Sequence, residues 1–277
     1  MGLNIISGET SIRTSALYHA RAFAYLPGQT VRVHTLGRFS LQIDGQPLLA
    51  SRLRQAKPLE LIQVLIAFGG RDVNADLISS SLWPDADGDD AANALDVTLH
   101  RTRKILEYKD AIIANGGRYS INNERVWVDV WVFERLLNQI DRALMLSKGK
   151  AVSRRVEQLL NRALLLYQGA FLSREQIKPW NLSLKERLRS KLLRSILDVG
   201  LIAENNRHWS MAIPLYNKGL EIETFAETLY QRLMICHLQT GHKAEALAVY
   251  QRCRSNLSNG LCITPSQETE KIRSSLY

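Results

Sequence analysis

The chain lacks the features that would place it in a membrane or an oxidising compartment. Its 277 residues contain no apolar run as long as a membrane-spanning helix, and the first 30 lack the charged-then-apolar order of a signal peptide. Cysteine occurs only three times, at Cys236, Cys253 and Cys262, without C-x-x-C spacing, so we expect reduced thiols. These absences predict a cytoplasmic protein that does not contact a membrane.

Motifs for chemistry are also missing. No G-x-x-x-x-G-K-[ST] loop occurs anywhere in the sequence. His208, His237 and His242 have no carboxylate or cysteine at metal-ligand spacing, and no set of nucleophile, base and orienting group emerges. The sequence therefore predicts a protein that is not an enzyme and has no cofactor and no metal site.

Length and composition indicate a globular chain of two domains. Hydrophobic residues make up 45% of it and charged residues 23%. The formal net charge is +9, but residues 31–129 hold 12 basic and 13 acidic side chains, whereas residues 130–277 hold 22 and 13. Because the excess lies in the second segment, net charge does not locate a DNA-binding domain, and the positions of charges along a single helix must do so.

Strand patterns flank the first domain. Residues 31–43 alternate between apolar and polar side chains, and Asp44-Gly45 is a strong hairpin turn because both residues tolerate positive φ. A second hairpin is predicted around Asn115-Gly116-Gly117, followed by a short strand at 126–128. These signals predict a small antiparallel sheet at the start of the domain and one or two hairpins at its end.

Helical signals fill the space between these strands. Pro58 fits the first turn of a helix, and a shorter helix is expected from about Asn74 to Leu82, with Leu77, Ile78 and Leu82 facing inward. Residues 1–30 are less informative and form a lead-in segment in which 11–26 could be helical.

The stretch Asp89–Glu107 predicts a helix with two different faces. Leu95, Leu99, Thr102 and Leu106 form one apolar stripe at helical spacing. The opposite side carries amide, small apolar and cationic groups, which suit the major groove, where bases offer acceptors and thymine methyls. These residues are Asn93, Val97, His100, Arg101 and Lys104. An ordinary solvated helix face is the alternative interpretation.

An acidic segment precedes this helix. Asp85, Asp87 and Asp89 stand at calcium-loop positions one, three and five, but Asp90 replaces the glycine that such loops require and Asp96 replaces the closing glutamate. A calcium site is therefore not expected. The remaining interpretations are a solvated loop whose last aspartates cap the helix and a contact surface for another protein.

The second half of the chain contains an internal repeat. Residues 209–220 align with 243–254 at an offset of 34, the period of tetratricopeptide repeats, in which small residues let paired helices approach and an aromatic fills the gap between repeats. The equivalent pairs are Ala212 with Ala246, Tyr216 with Tyr250, and Gly219 with Cys253. Residues 185–194 are rich in lysine and arginine. A solvated face is the plain explanation for them, and phosphate contacts or an acidic protein partner are the alternatives.

The order of sheet, three helices and hairpin resembles the winged-helix output domain of two-component response regulators. Leu95-Asp96-Val97, followed by Leu99, Arg101, Arg103 and Lys104, and the glycine-rich approach to Tyr119 are similar to that family's recognition helix and wing. The resemblance implies that the recognition helix faces bases or nearby phosphates and that arginines near the wing reach the DNA backbone or minor groove. It also implies that the end of the second helix contacts a phosphate and that the acidic loop faces RNA polymerase. The implied DNA-binding residues are Asn93, Val97, His100, Arg101, Arg103, Lys104, Arg118, Arg125 and Trp83, and the implied polymerase-contact residues are Asp85, Asp87 and Asp89.

The helical half, ending in 261–270, closely resembles the bacterial transcriptional activator domain, which follows a winged helix in regulators of the antibiotic-regulatory-protein type. Leu36-Gly37-Arg38-Phe39 and Pro179-Trp180 also look like the carboxyl-terminal part of large maltose-regulator-like activators. We therefore expect a mainly α chain with a small β component, divided into a lead-in at 1–30, a winged-helix DNA-binding domain at 31–129 and a tetratricopeptide-like domain at 130–277.

The resemblance implies a sequence-specific transcriptional regulator, and we expect it to be an activator. Its implied partners are double-stranded DNA and RNA polymerase. Two copies could bind as a homodimer to sites one helical turn apart. The alternative is a helical-repeat adaptor whose winged helix contacts protein instead of DNA.

Overall fold

The computed structural model describes residues 28–49, 56–147 and 151–276, which form two compact units. Unit 1 holds the described residues up to Phe133 together with Leu165–Lys185, and unit 2 holds those of Glu134–Leu164 and the residues from Glu186 onward. The helix expected at 11–26 lies outside the described residues. Within the described ranges, no helix combines the length and the apolar character that crossing a bilayer requires.

Unit 1 contains two small sheets, with strand orders β3-β2-β1-β7 and β4-β6-β5. Their strands are β1 (Val31–His34), β2 (Ser40–Ile43), β3 (Gln46–Pro47), β4 (Val73–Asn74), β5 (Ile112–Asn115), β6 (Arg118–Ile121) and β7 (Val126–Val128).

The first sheet confirms the predicted opening hairpin. Asp44 and Gly45 adopt φ angles of 49° and 81° between β2 and β3, as a two-residue hairpin turn demands. Strand β1 pairs antiparallel with β2, and Val31 lies opposite Ile43. On its other side β1 pairs in parallel with β7. This pairing between distant segments was not predicted, because the sequence around 126–128 indicated only a hairpin.

Three helices come between β3 and β5 along the chain: α1 (Ala56–Ala67), α2 (Ala75–Leu82) and α3 (Gly88–Leu106). The side chain of Asn74 accepts a hydrogen bond from the Asp76 amide and so caps α2. Ile78 and Leu82 are buried as predicted, but Leu77 is 43% exposed, so that part of the prediction is wrong. Position 77 lies 100° around the helix from Ile78 and falls outside the narrow stripe that α2 turns to the core.

The second sheet forms the wing. Strands β5 and β6 make a hairpin whose turn residues Gly116 and Gly117 have φ angles of 53° and 71°, so the predicted hairpin is confirmed. Strand β4 adds to β6, placing Val73 opposite Tyr119. The wing is thereby tied directly to the start of α2.

A segment remote in sequence completes the edge of unit 1. The Leu172 amide donates to the Thr35 carbonyl at 2.8 Å, and the Gly37 amide donates to the Ala170 carbonyl at 3.1 Å. Gly37 has a φ of 96°, and a Cβ atom built on Gly169 would lie 3.1 Å from the Gly37 Cα. The two glycines therefore permit a close backbone approach that larger residues would obstruct.

A buried carboxylate fixes the end of β7. The Asp129 carboxylate accepts hydrogen bonds from the Thr35 amide and hydroxyl and from the Leu36 amide at 2.7 to 2.9 Å. Burial raises the pKa of Asp129, while the charge of His34 and these hydrogen bonds act in the opposite direction. Because Asp129 also begins the next helix, it links the sheet to the helical half of the chain.

From Asp129 onward the described chain is helical. Its helices are α4 (Asp129–Ser147), α5 (Arg154–Leu166), α6 (Pro179–Asn205), α7 (Trp209–Ile222), α8 (Glu227–Gln239), α9 (Lys243–Leu261) and α10 (Gln267–Ser274). Helix α8 packs against both α7 and α9. The repeat predicted at offset 34 corresponds to the successive helix pairs α7–α8 and α9–α10.

The small residues of the repeat lie at helix contacts, as predicted. Ala212 and Ala246 have no exposed surface. A Cβ atom on Gly219 would lie 2.5 Å from the Leu229 Cδ1 atom, so a larger residue there would require the Leu229 side chain of α8 to move. The helices of each pair therefore depend on small side chains at these positions.

The aromatic residues of the repeat are anchored by hydrogen bonds to acidic side chains. Tyr216 donates to Glu204, which also accepts from the Arg232 Nε at 2.9 Å. Burial and the bond to Glu204 raise the pKa of Tyr216. Tyr250 donates to Glu270 at 2.6 Å.

The predicted fold class, a winged helix followed by a helical repeat domain, is confirmed.

Candidate nucleic-acid interface

Helix α3 is seated in unit 1 by one continuous buried face. Leu95, Leu99 and Leu106 are at most 6% exposed, which confirms the predicted apolar stripe. Thr102 is fully buried, and its hydroxyl donates to the Thr98 carbonyl at 2.8 Å and to the Pro58 carbonyl at 3.2 Å. The buried polar group is thus satisfied, and it joins α3 to the first turn of α1.

The opposite face of α3 is open to solvent. At 100° per residue, Asn93, Val97, His100 and Lys104 fall on one line along the helix, opposite the buried stripe, and Arg101 lies beside it. All five are exposed. Val97 is 51% exposed, an apolar group among polar ones, as a contact with a thymine methyl would require.

Arg103 does not belong to this exposed line. Its Nε and Nη2 atoms donate to the Ile112 carbonyl at 3.1 and 2.8 Å, and the residue is half-buried. The side chain therefore ties α3 to the first wing strand, β5, and does not project with Arg101 and Lys104 as the sequence had led us to expect.

The wing carries one of its two predicted arginines at its tip. Arg118 follows the glycine turn, is exposed, and donates from Nη1 to the Asp72 carbonyl at 3.1 Å. The bond holds the arginine beside the turn while the outer edge of its guanidinium stays accessible to solvent. This position suits contact with a phosphate or a minor groove.

Arg125 lies elsewhere. It follows β6, at the end of the hairpin away from the glycine turn, and its Nε is 2.9 Å from the Asp110 carboxylate. The hydrogen bond from Arg125 lowers the pKa of Asp110, and the guanidinium lies 5.6 Å from the Tyr108 ring. The structure therefore places Arg125 near the wing, as the sequence indicates, but at the end of the hairpin away from the tip that carries Arg118.

Trp83 ends α2 and is half-buried. The Lys57 ammonium lies 5.6 Å from the centre of its ring and donates to the Leu82 carbonyl at 2.5 Å. Trp83 lines a cleft at the end of α2. The sequence predicts neither the lysine over the Trp83 ring nor the cleft that Trp83 lines.

The acidic loop between α2 and α3 is open. Asp85, Asp87 and Asp89 are all exposed. Asp87 occupies the cap position of α3 but its side chain makes no capping hydrogen bond, and Asp89 lies in the first helical turn. Across the described residues, no group of three or more acidic, histidine or cysteine side chains could hold a metal ion.

Asp96 is an exposed residue of α3 that sequence reasoning left out of the site. It lies 60° from Asn93 around the helix, on the side toward the wing, where its charge contributes, after burial, to the raised pKa of Tyr119. A carboxylate there could accept from a cytosine amino group. Its helical spacing from Asn93 and His100 was the signal that could have identified it.

The basic stretch on α6 is largely neutralised by acidic neighbours. Arg187 pairs with Glu134 at 2.6 Å, and Lys191 lies 3.4 Å from Asp141. Arg189 pairs with Glu186 and with Glu223. These pairs favour the plain interpretation of a surface face over a second nucleic-acid surface.

Comparison with known proteins identifies the family to which the helical half belongs. The family model of the bacterial transcriptional activator domain matches residues 128–276. Two curated relatives carry the name regulatory protein AfsR. The one from Streptomyces griseus is 26% identical over 83% of this chain and 23% of its own length, and the one from Streptomyces coelicolor is 25% identical over 88% and 24%. The chain thus spans about a quarter of the length of these relatives.

One solved structure shares the fold. It is Mycobacterium tuberculosis EmbR in complex with a low-affinity phosphopeptide, with a TM-score of 0.67 at 16% identity, covering 90% of this chain and 65% of that one. The likeness therefore extends through both units of the described chain and is one of fold.

Proposed function

Because the chain belongs to the bacterial transcriptional activator domain family, we propose that it regulates transcription by binding specific double-stranded DNA through helix α3. The observation that carries this proposal is the exposed line of Asn93, Val97, His100 and Lys104 on a helix whose other face is fully seated in a winged helix. Such a helix can enter the major groove without losing its own core contacts. A regulator of chromosomal genes works in the bacterial cytoplasm.

Each exposed side chain has a role that follows from its chemistry. Arg101 can donate two hydrogen bonds to guanine, Asn93 can pair with adenine, and Val97 can meet a thymine methyl. His100 and Lys104 lie where bases and phosphates are both in reach. Arg118 would hold the adjacent backbone or minor groove, which fixes the register of α3.

Arg103 and Arg125 take supporting roles in this proposal. Arg103 fixes the wing strand against α3 through the Ile112 carbonyl, and Arg125 holds the base of the hairpin through Asp110. Their bonds to protein groups orient the elements that carry Arg101 and Arg118. We assign Trp83 to the cleft at the end of α2, where Lys57 covers its ring.

The exposed loop Asp85–Asp89 supports a contact with RNA polymerase. Its carboxylates have no hydrogen bond or ion pair among the described residues and face solvent ahead of a DNA-reading helix, which leaves them available to a cationic protein surface. We propose that the protein is an activator without catalytic activity or cofactor. We assign DNA binding to residues 31–129 and the repeat domain to 130–277.

Selection of bound sequences from random duplex DNA tests this function. The wild-type chain should select a defined motif, and paired motifs one helical turn apart would indicate a homodimer. Arg101→Ala should relax selection at one base pair and weaken binding by about 1–3 kcal/mol. Arg142→Ala, at an exposed position of α4, is the matched control and should select the wild-type motif.

Two results would contradict the proposal in different ways. Absence of any bound duplex at low salt would favour a protein adaptor. An unchanged motif and affinity for Arg101→Ala would show that another surface reads the DNA.

A further inference from the structure

A cleft of about 770 Å³ opens in unit 1, away from the exposed line of α3. Its walls come from the start of α1, the end of α2, the α2–α3 loop and the start of α6. The volume falls within the range of small-molecule sites, roughly 300–1,000 Å³. The proposed contacts with DNA do not use this cleft.

The cleft offers flat aromatic surfaces. Trp83 and Trp180 both line it, and each stands next to a proline, Pro84 and Pro179 respectively, that also lines it. Proline fixes its own φ, so the backbone beside both indoles is restrained. Indole faces bind planar rings through dispersion and offset stacking, which favours an aromatic ligand.

The charges around the cleft favour an anion. Lys57 and Lys178 line it and share a single acid, Glu60. The Lys57 Nζ lies 3.2 Å from the Glu60 carboxylate, and Lys178 also pairs with it. Their side chains stay 42% and 32% exposed, against 12% for Glu60. One carboxylate offsets only one of the two ammonium charges. Asp85, also on the wall, is exposed and pairs with neither lysine, so an anion that reaches the two ammonium groups need not displace it.

We propose that this cleft binds a small planar aromatic carboxylate, with its ring against Trp83 and Trp180 and its carboxylate near Lys57 and Lys178. Asp85 and Ala86 of the α2–α3 loop form part of the wall, so a bound ligand also restrains that loop. The binding step requires no DNA, and its test is therefore independent of the proposed function.

Isothermal titration of the full chain tests the site with two matched probes, indole-3-acetate and the uncharged indole-3-acetamide. We expect saturable one-site binding of the acid with a dissociation constant of about 1 mM or below, about tenfold tighter than that of the amide, because charge-assisted hydrogen bonds are the stronger ones. Lys57→Met should remove this preference for the acid.

Trp180→Phe tests the indole itself, since it keeps an aromatic ring but offers a smaller stacking face. It should weaken both probes several-fold, whereas Trp209→Phe, the same change on α7 outside the cleft, should leave both unchanged. The acid should also slow amide hydrogen exchange in the loop at Asp85–Asp87.

The proposal fails if neither probe binds saturably at about 10 mM, ten times the expected dissociation constant. It also fails if Lys57→Met and Trp180→Phe, shown by circular dichroism to be folded, bind both probes as the wild type does. Unchanged exchange in the loop on saturation with the acid would contradict the inferred restraint of the loop.

Discussion

Among single residues, Thr102 shows how a polar side chain can belong to the core. It occupies a position in a buried stripe otherwise formed by Leu95, Leu99 and Leu106, and it has no exposed surface. Its hydroxyl reaches the Thr98 carbonyl in its own helix and the Pro58 carbonyl in α1. The threonine thus adds a polar link between two helices that a leucine could connect only by packing.

Thr102→Val removes the hydroxyl and keeps the branched shape. We expect the free energy of unfolding in urea to fall by about 1 kcal/mol, since one net intramolecular hydrogen bond is lost. Thr102→Leu should cost about 1–3 kcal/mol, because a larger side chain must fit into a fully buried site. Ser80→Ala, which removes an exposed hydroxyl from α2, is the control and should change stability by less than about 0.5 kcal/mol. A valine variant as stable as the wild type would show that the link to α1 contributes nothing.

The arginines show that residue type alone does not determine where a side chain points. The sequence identified the exposed line of α3 correctly, since helical spacing alone separates Val97 and Lys104 from the buried stripe. It grouped Arg103 with them, although this side chain turns to the Ile112 carbonyl. That partner lies on a strand nine residues away, and the direction of the side chain depends on tertiary packing that periodicity does not encode.

At the level of helices and strands, the sequence predicted turns and helix starts that neighbouring residues determine, but it did not predict the pairing of distant strands. The turn at Asp44-Gly45 and the start of α2 next to Asn74 are encoded by residues within a few positions of each other, so they could be predicted. The parallel pairing of Val31 with Val126 joins residues 95 positions apart. Strands as short as β7 have too few residues for alternation to show which neighbour they will choose.

The α2–α3 loop is the element whose function is most open to a direct test. We expect the double variant Asp85→Lys, Asp87→Lys to lower transcription by purified bacterial RNA polymerase several-fold while operator affinity stays unchanged or rises. The loss follows from reversing the charge that would meet a cationic polymerase surface. The cost to α3 of losing an acidic residue at its cap should stay within about 1 kcal/mol.

Glu124→Lys is the control for this experiment, because it reverses an exposed acid in the loop between β6 and β7. It should leave transcription near the wild-type level. Normal transcription by the double variant would remove the polymerase contact from the proposal, and a parallel loss of operator affinity would place the effect on DNA binding instead.

Across the whole molecule, the period of 34 predicted the helical repeats, but the boundary between compact units was harder to foresee. Leu165–Lys185 belongs to unit 1 because its backbone bonds to the end of β1, as between Leu172 and Thr35. Both segments are short and irregular, so no periodic pattern marks them as partners. The sequence thus indicated the kinds of domain and their order, whereas the pairing of these two segments within unit 1 appears only in three dimensions.

The salt dependence of DNA binding tests the role of the whole charge distribution. The exposed reader offers three cations, Arg101, Lys104 and Arg118, so we expect log K against log salt concentration to fall with a slope of about −3 per bound copy. Lys104→Gln should reduce the slope by about 1. The basic stretch of α6 should contribute nothing, because acids already neutralise Arg187, Arg189 and Lys191.

Arg194→Gln provides the matched comparison, since it removes an exposed cation from the basic stretch of α6. Binding assays in KCl on the selected duplex should give this variant the wild-type slope and affinity. A flatter slope for Arg194→Gln, or a wild-type slope steeper than about −6 per copy, would mean that the helical half also contacts phosphates. The net charge of +9 would then act directly in DNA binding, and the reading of DNA could no longer be assigned to α3 and the wing alone.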